Sequence, residues 1–251
     1  MSLDLDPLLD GFDYTPGEVT ARKVSGRDGR EKIQMRTELG LIQLEADGPP
    51  DGHERLGYPS LLHFHRARMS EWQPGTGASA SLRLSAEECR ELFDEATVYY
   101  LRYICCLQLK EYRRAERDTT RNLEVMDLCM EHAANEDDRY ALEQYRPFVL
   151  MMRARARAGR LMSEGDPAGA ADSIADAIAA VRQLMSDQDQ ADLYDDAAED
   201  IHALEALAAE LKDYGGGVVD RVQLQLELRR AIDREDYRRA AELRDALNEY
   251  E

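Results

Sequence analysis

"SAEECRELFDEATVYYLRYICCLQLK", residues 85–110, decides the fold class of this chain. Ser85 and Glu88 have the form of a capping box, in which the serine side chain accepts from the backbone N–H of Glu88 and the glutamate reaches back to the N–H of Ser85. Beyond it, Leu92, Ala96, Tyr99, Tyr103 and Cys106 recur at helical spacing and give the segment one apolar face up to about Lys110. The pattern predicts a long amphipathic helix.

Downstream the same periodicity continues with little interruption. Further helices are predicted at about 112–133, 137–164, 167–186 and 189–212, with Pro147 expected to kink the second of these because it removes a backbone donor and crowds the turn before it. Three glycines at 215–217 end the run, and two more helices are predicted after them. Upstream, residues 1–80 are broken by "YTPGE", "SGRDGR", "DGPPDGH" and "QPGTG", which is loop chemistry. Within that region "KIQMRTELGLIQLE" (32–45) has two readings: a strand with Ile33 and Met35 on one face, or a helix with Met35, Leu39 and Ile42 on one face. Ser60 is placed to cap "LLHFHRARM". Three parts follow: a loop-rich extension over 1–80, a helical array over 81–214 and a hairpin over 215–251.

Three turns share a pattern: "KEYRRA" at 110, "GDPAGA" at 165 and "EDYRRA" at 235, each between two helices and each with an alanine three residues beyond a Tyr or Pro. On these residues the region 85–186 resembles tetratricopeptide repeats, whose helix pairs carry small residues at the packing seam. The later unit fits at Ala158, Leu161, Gly165, Ala170, Ile174 and Ala177. The earlier one departs, with bulky Tyr103 at a small position and polar Thr119 and Asn122 in its second helix, and the turns are irregularly spaced. The expected fold is all-α: an array of antiparallel, tetratricopeptide-like helix hairpins with a loop-rich N-terminal extension and a C-terminal helical hairpin.

The closing stretch "LQLELRRAIDREDYRRAAELRDALNEY" resembles the UVR motif of nucleotide-excision-repair proteins and some chaperone-linked regulators. The resemblance rests on Leu224, Leu228, Ile232, Tyr237, Ala240, Ala241, Leu243, Arg244, Asp245 and Leu247, and it implies a two-helix hairpin that pairs with another hairpin. Glu235 and Tyr237 depart from the aliphatic residue and phenylalanine usual at the turn. Ala240, Leu243 and Leu247 line the seam inside the hairpin, while Tyr237, Ala241 and Arg244, at i, i+4 and i+7, form an adjacent stripe expected to hold a partner protein or a second copy of the chain. The competing reading makes the hairpin a cap on the array.

A formal charge of -19 repels nucleic acid over most of the surface, so such contact would need a local patch. The one candidate is "RKVSGRDGREKIQMR", with Arg22, Lys23, Arg27, Arg30, Lys32 and Arg36; its bland reading is a solvated basic loop, since no aromatic residues interleave as base stacking would need. Glu199 and His202 have the E-x-x-H spacing of di-iron bundles, but one such pair makes no site. His53, His63 and His65 lack metal-ligand spacing, and Cys105 and Cys106 read as buried apolar thiols. Phosphate-loop, nucleophile-elbow and dinucleotide fingerprints do not occur. The four cysteines form no disulfide framework, and neither a leader nor a membrane span is read. The expectation is a cytoplasmic, non-enzymatic protein-interaction adaptor without metal or cofactor, the alternative being a repair-linked regulator that touches nucleic acid through residues 22–36.

Overall fold

The computed structural model describes residues 4–72, 82–186, 198 and 200–209. The chain is mostly helical, with a small antiparallel sheet near its start. The elements are α1 (Asp6–Leu9), β1 (Ala21–Ser25), β2 (Glu31–Thr37), β3 (Gly40–Glu45), α2 (Leu61–Glu71), α3 (Ala86–Gln108), α4 (Tyr112–His132), α5 (Glu136–Glu143), α6 (Arg146–Ser163) and α7 (Pro167–Ser186), followed by a helical stretch at 200–209.

The sheet corrects the all-α expectation and the reading of residues 1–80 as loop. The strands form a meander in the order β1-β2-β3, with Lys23 opposite Ile33 and Ile33 opposite Leu44. Between the strand and helix readings of 32–45, the strand is the one realised. Ile33 is fully buried, whereas Leu39, which the helical reading put on an apolar face, sits in the β2–β3 turn and is 93% exposed. Local periodicity was ambiguous because both faces of β2 are covered. Ile33 packs on α3, and on the opposite face the amide of Gln34 donates to Gln43 at 3.0 Å while Lys32 is held by Asp28 and Glu45. Lys32, Ile33 and Gln34 are therefore buried in succession.

The helices α2 and α3 begin where the sequence places them. Ser85 and Glu88 make the reciprocal capping box, and the Ser60 hydroxyl accepts from the amide of His63. Pro147 does not kink a long helix; the segment is two helices, α5 and α6, and Pro147 lies in the first turn of α6. A proline's missing N–H costs nothing there, because that donor has no intrahelical partner in any case.

Two of the shared turns close in the same way. After α3, the amide of Lys110 donates to Leu107 O at 3.1 Å and that of Glu111 to Cys106 O at 2.8 Å; after α6, Gly165 donates to Met162 O at 3.1 Å and Asp166 to Leu161 O at 2.9 Å. Lys110 and Gly165 both take the left-handed conformation, at φ 59° and 79°, which is the usual device for ending a helix in this motif. Ala115 and Ala170, at equivalent places after the turn, are both fully buried.

The α3–α4 hairpin, α2, α5 and the start of α6 share one apolar core around Leu62, Leu92, Leu123, Met126 and Leu142. The sheet closes over a second one with Ile33 and Ala46 against Tyr103, Ile104, Cys106 and Ala115. The α6–α7 hairpin packs through Ala154, Ala158, Ala170, Ile174 and Ala177, covered by Leu204 of the helical stretch at 200–209.

Candidate functional site

An apolar concavity lies between α3 and α6. Leu92, Ala96, Tyr99 and Tyr103 turn α3 into its hairpin, and this orientation leaves an adjacent stripe, Phe93, Thr97 and Tyr100, facing the next helix pair. The start of α6 answers with Phe148 and Val149, preceded by Tyr145. Two edge-to-face pairs span the gap: Phe93 with Tyr145 at 6.2 Å between ring centroids, and Tyr100 with Phe148 at 6.1 Å. Between them remains a cavity of about 500 Å3 with Asn122, Met126 and Leu142 in its wall.

Its polar groups are largely engaged. Asn122 donates its amide to Ala96 O at 2.9 Å, and the Thr97 hydroxyl donates to Phe93 O at 3.1 Å. What a ligand meets is aromatic and aliphatic surface, with Thr97 and Tyr145 exposed beside it. Such a cavity binds by excluding water from an apolar group.

Beneath the other side of α3 and α4 runs a buried ionic network. Arg102 and Asp118, 1% and 0% exposed, form a bidentate pair with Nε to Oδ2 at 2.6 Å and Nη2 to Oδ1 at 2.8 Å. The remaining Arg102 nitrogen donates to the carbonyls of Glu45 at 3.0 Å and Gly48 at 2.7 Å. Arg121 pairs with Glu95, whose carboxylate also accepts from the amide of Leu61 at 3.0 Å. The Tyr99 ring lies between the two guanidiniums, with centroid distances of 5.0 Å to Arg102 and 4.2 Å to Arg121. This network attaches the end of β3 and the start of α2 to the α3–α4 hairpin.

The six basic residues of the 22–36 segment stand on a β-hairpin and not on a free loop. Arg22 stacks over Phe12 at 4.2 Å and donates to Leu8 O at 2.7 Å; Arg36 donates to Phe12 O and Gly40 O, both at 2.8 Å. Lys23 pairs with Glu111, Arg30 with Asp28, and Lys32 with Asp28 and Glu45. Arg27 is exposed in the turn. Strand alternation sends Lys23 to the opposite face from Arg22, so the structure does not gather the six cations into one patch.

Tyr237, Ala241 and Arg244, and the whole UVR-like hairpin at 215–251, lie outside the described residues, as does Glu199 of the E-x-x-H pair. His202 is exposed, and among the described residues no group of three or more His, Cys, Asp or Glu side chains could hold a metal ion. His63 is engaged with Ser60 through Nδ1 at 2.7 Å. His65 is 1% exposed, and neither ring nitrogen has a hydrogen-bond partner among the described residues. Burial and the neighbouring Arg68 both lower its pKa. The four cysteines are free and buried, and burial pushes the Cys105 and Cys106 thiols up to about 12. No helix among the described residues is long and apolar enough to cross a membrane.

The cleft residues carried a sequence signal that the main stripe overshadowed. Phe93, Thr97 and Tyr100 are spaced i, i+4 and i+7 beside the face read first, and a second aromatic stripe on one helix is what a helix needs when it meets two neighbours. Compared with the known protein families, with curated proteins and with solved structures, the chain has no match.

Proposed function

We propose that this protein is a non-enzymatic interaction adaptor whose tetratricopeptide-like helix pairs hold a partner through the α3–α6 cleft. The observation that carries the reading is the aromatic-walled cavity of about 500 Å3 between the two edge-to-face pairs. Its volume suits one or two large apolar side chains, and the fitting partner is an amphipathic helix that inserts them while its polar face stays in water. The UVR-like hairpin at 215–251 adds a second contact in this reading, through Tyr237, Ala241 and Arg244, to another protein or to a second copy of the chain.

The test is selection of helical peptides from a displayed library against the full-length protein. The reading expects enriched peptides with bulky apolar anchors at i and at i+3 or i+4, and loss of their binding in Thr97→Trp, which fills the mouth of the cleft from an exposed position. Enrichment without such anchors, or anchored peptides that bind Thr97→Trp as well as wild type, would sink it.

A further inference from the structure

A second concavity, the trough along the outer face of α4, has about 700 Å3 of space, within the usual range for small-ligand sites. Its lining brings five guanidiniums, those of Arg102, Arg113, Arg117, Arg121 and Arg160, together with three carboxylates. Every one of those carboxylates is already engaged: Glu116 by Arg160 at 2.7 Å, Asp118 by Arg102 at 2.6 Å and Arg117 at 2.9 Å, and Glu124 by Arg66 at 3.0 Å.

The donors are not used up. Arg113 commits only Nη2, to Glu164 at 2.6 Å, and its side chain is 80% exposed. Thr120 has no partner for its hydroxyl among the described residues, and His63 engages only one ring nitrogen. Arg121 is more than nine-tenths buried in the wall, yet its Nε has no partner among the described residues. A site whose carboxylates are each paired with a cation, and whose donors are not all used, is complementary to an anion.

The α6 rim shows the same surplus. Two ion pairs bridge α4 to α6, Arg160 with Glu116 at 2.7 Å and Arg146 with Asp127 at 2.9 Å. Between them on α6 stand Arg153 and Arg157, which have no ion pair among the described residues, and the antiparallel register puts Thr120 across from them where a carboxylate would complete the ladder. Burial and the adjacent Arg157 charge lower the proton affinity of Arg153, with the Glu116 and Asp127 carboxylates opposing only in part.

We infer that the trough binds a small phosphate-bearing molecule, held by Arg113 and the Thr120 hydroxyl of its lining and reached from the adjoining face of α6 by Arg157 and Arg153. Guanidinium forks match phosphate oxygens in bidentate geometry, and the bounded volume fits a compact ligand. An extended nucleic-acid backbone would run past Glu116, Glu124 and Asp127 and across a chain of formal charge -19.

The test titrates the full-length protein with inorganic phosphate, with adenosine monophosphate and with a single-stranded oligonucleotide, by calorimetry at constant ionic strength. Saturable binding of inorganic phosphate or of the monophosphate is expected, and tighter binding of the monophosphate assigns an organic phosphoester. The Arg113→Gln, Arg157→Gln double variant should bind about tenfold more weakly or worse, as expected for losing charge-assisted hydrogen bonds, with unchanged helical circular dichroism. The control Arg155→Gln, on a different face of α6, should match wild type. Absence of saturable binding, equal affinity in the double variant, or an oligonucleotide that outcompetes the monophosphate at equal phosphate concentration would overturn the assignment.

Discussion

The two long helix hairpins, α3–α4 and α6–α7, share a turn but not an interior. Their connections make the same pair of backbone hydrogen bonds, and Ala115 and Ala170 are buried at equivalent places. The α6–α7 seam is alanine and isoleucine. The α3–α4 seam buries Arg102, Asp118, Arg121, Glu95 and Asn122. The difference follows from what each hairpin carries. Extra chain is laid across α3–α4, and its backbone groups need partners inside: the carbonyls of Glu45 and Gly48 take Arg102, and the amide of Leu61 takes Glu95. Asn122, which departs from the tetratricopeptide pattern, bonds the carbonyl of Ala96 and forms part of the cleft wall. Burial of charge is tolerated only where each charge is paired and hydrogen-bonded.

The largest expected effect comes from breaking the ionic seam. Arg102→Met leaves the fully buried Asp118 with Arg117 as its one ionic partner and strands two carbonyls, and should lower stability by about 3–5 kcal/mol in urea unfolding. Adding Asp118→Leu should recover much of that loss; a double variant as unstable as the single would show that the pair's worth lies in the carbonyl contacts to the β3 end. The alanine seam is next. Ala170→Leu overpacks a fully buried site and should cost about 1–3 kcal/mol by the same measurement.

A smaller effect separates the two turns. Lys110 and Gly165 hold the same left-handed conformation, but only glycine does so without a steric penalty. Lys110→Gly should therefore stabilise by about 1 kcal/mol, and Gly165→Lys should destabilise by about as much. Equal and null changes at both turns would mean that the equivalence is geometric but not energetic.

The last distinction is in pH dependence, and it belongs to the first hairpin's cover. His65 on α2 has its folded-state pKa lowered from 6.5 by burial and by Arg68, with Glu88 opposing. The unfolded chain then binds more protons than the folded one as pH falls through 6.5, so this contribution to stability is complete above that value and is lost below it. His65→Phe should flatten unfolding midpoints measured between about pH 7 and pH 5, the window set by the reference histidine value. A slope unchanged by the substitution would place the titration elsewhere.

By itself the sequence determined the features that are written locally. The Ser85–Glu88 capping box, the Ser60 cap, the shared turns at 110 and 165 and the alanines after them are short-range patterns, and each appears in the structure where the residues put it. A helix closes its hydrogen bonds four residues away, so its signals lie within its own stretch. Tertiary structure alone decided the rest. Ile33 became a strand residue because Leu44 and α3 were there to cover it, and Pro147 became a helix start because the chain breaks at 144–145 to place α5 beside α4. The basic run at 22–36 was divided between two faces by a pairing register that its own sequence leaves open. The cleft and the trough join residues from segments as distant as Gly48 and Arg160. Strand pairing, buried ion pairs and cavities are contacts between segments remote in sequence, and no periodicity within one segment contains them.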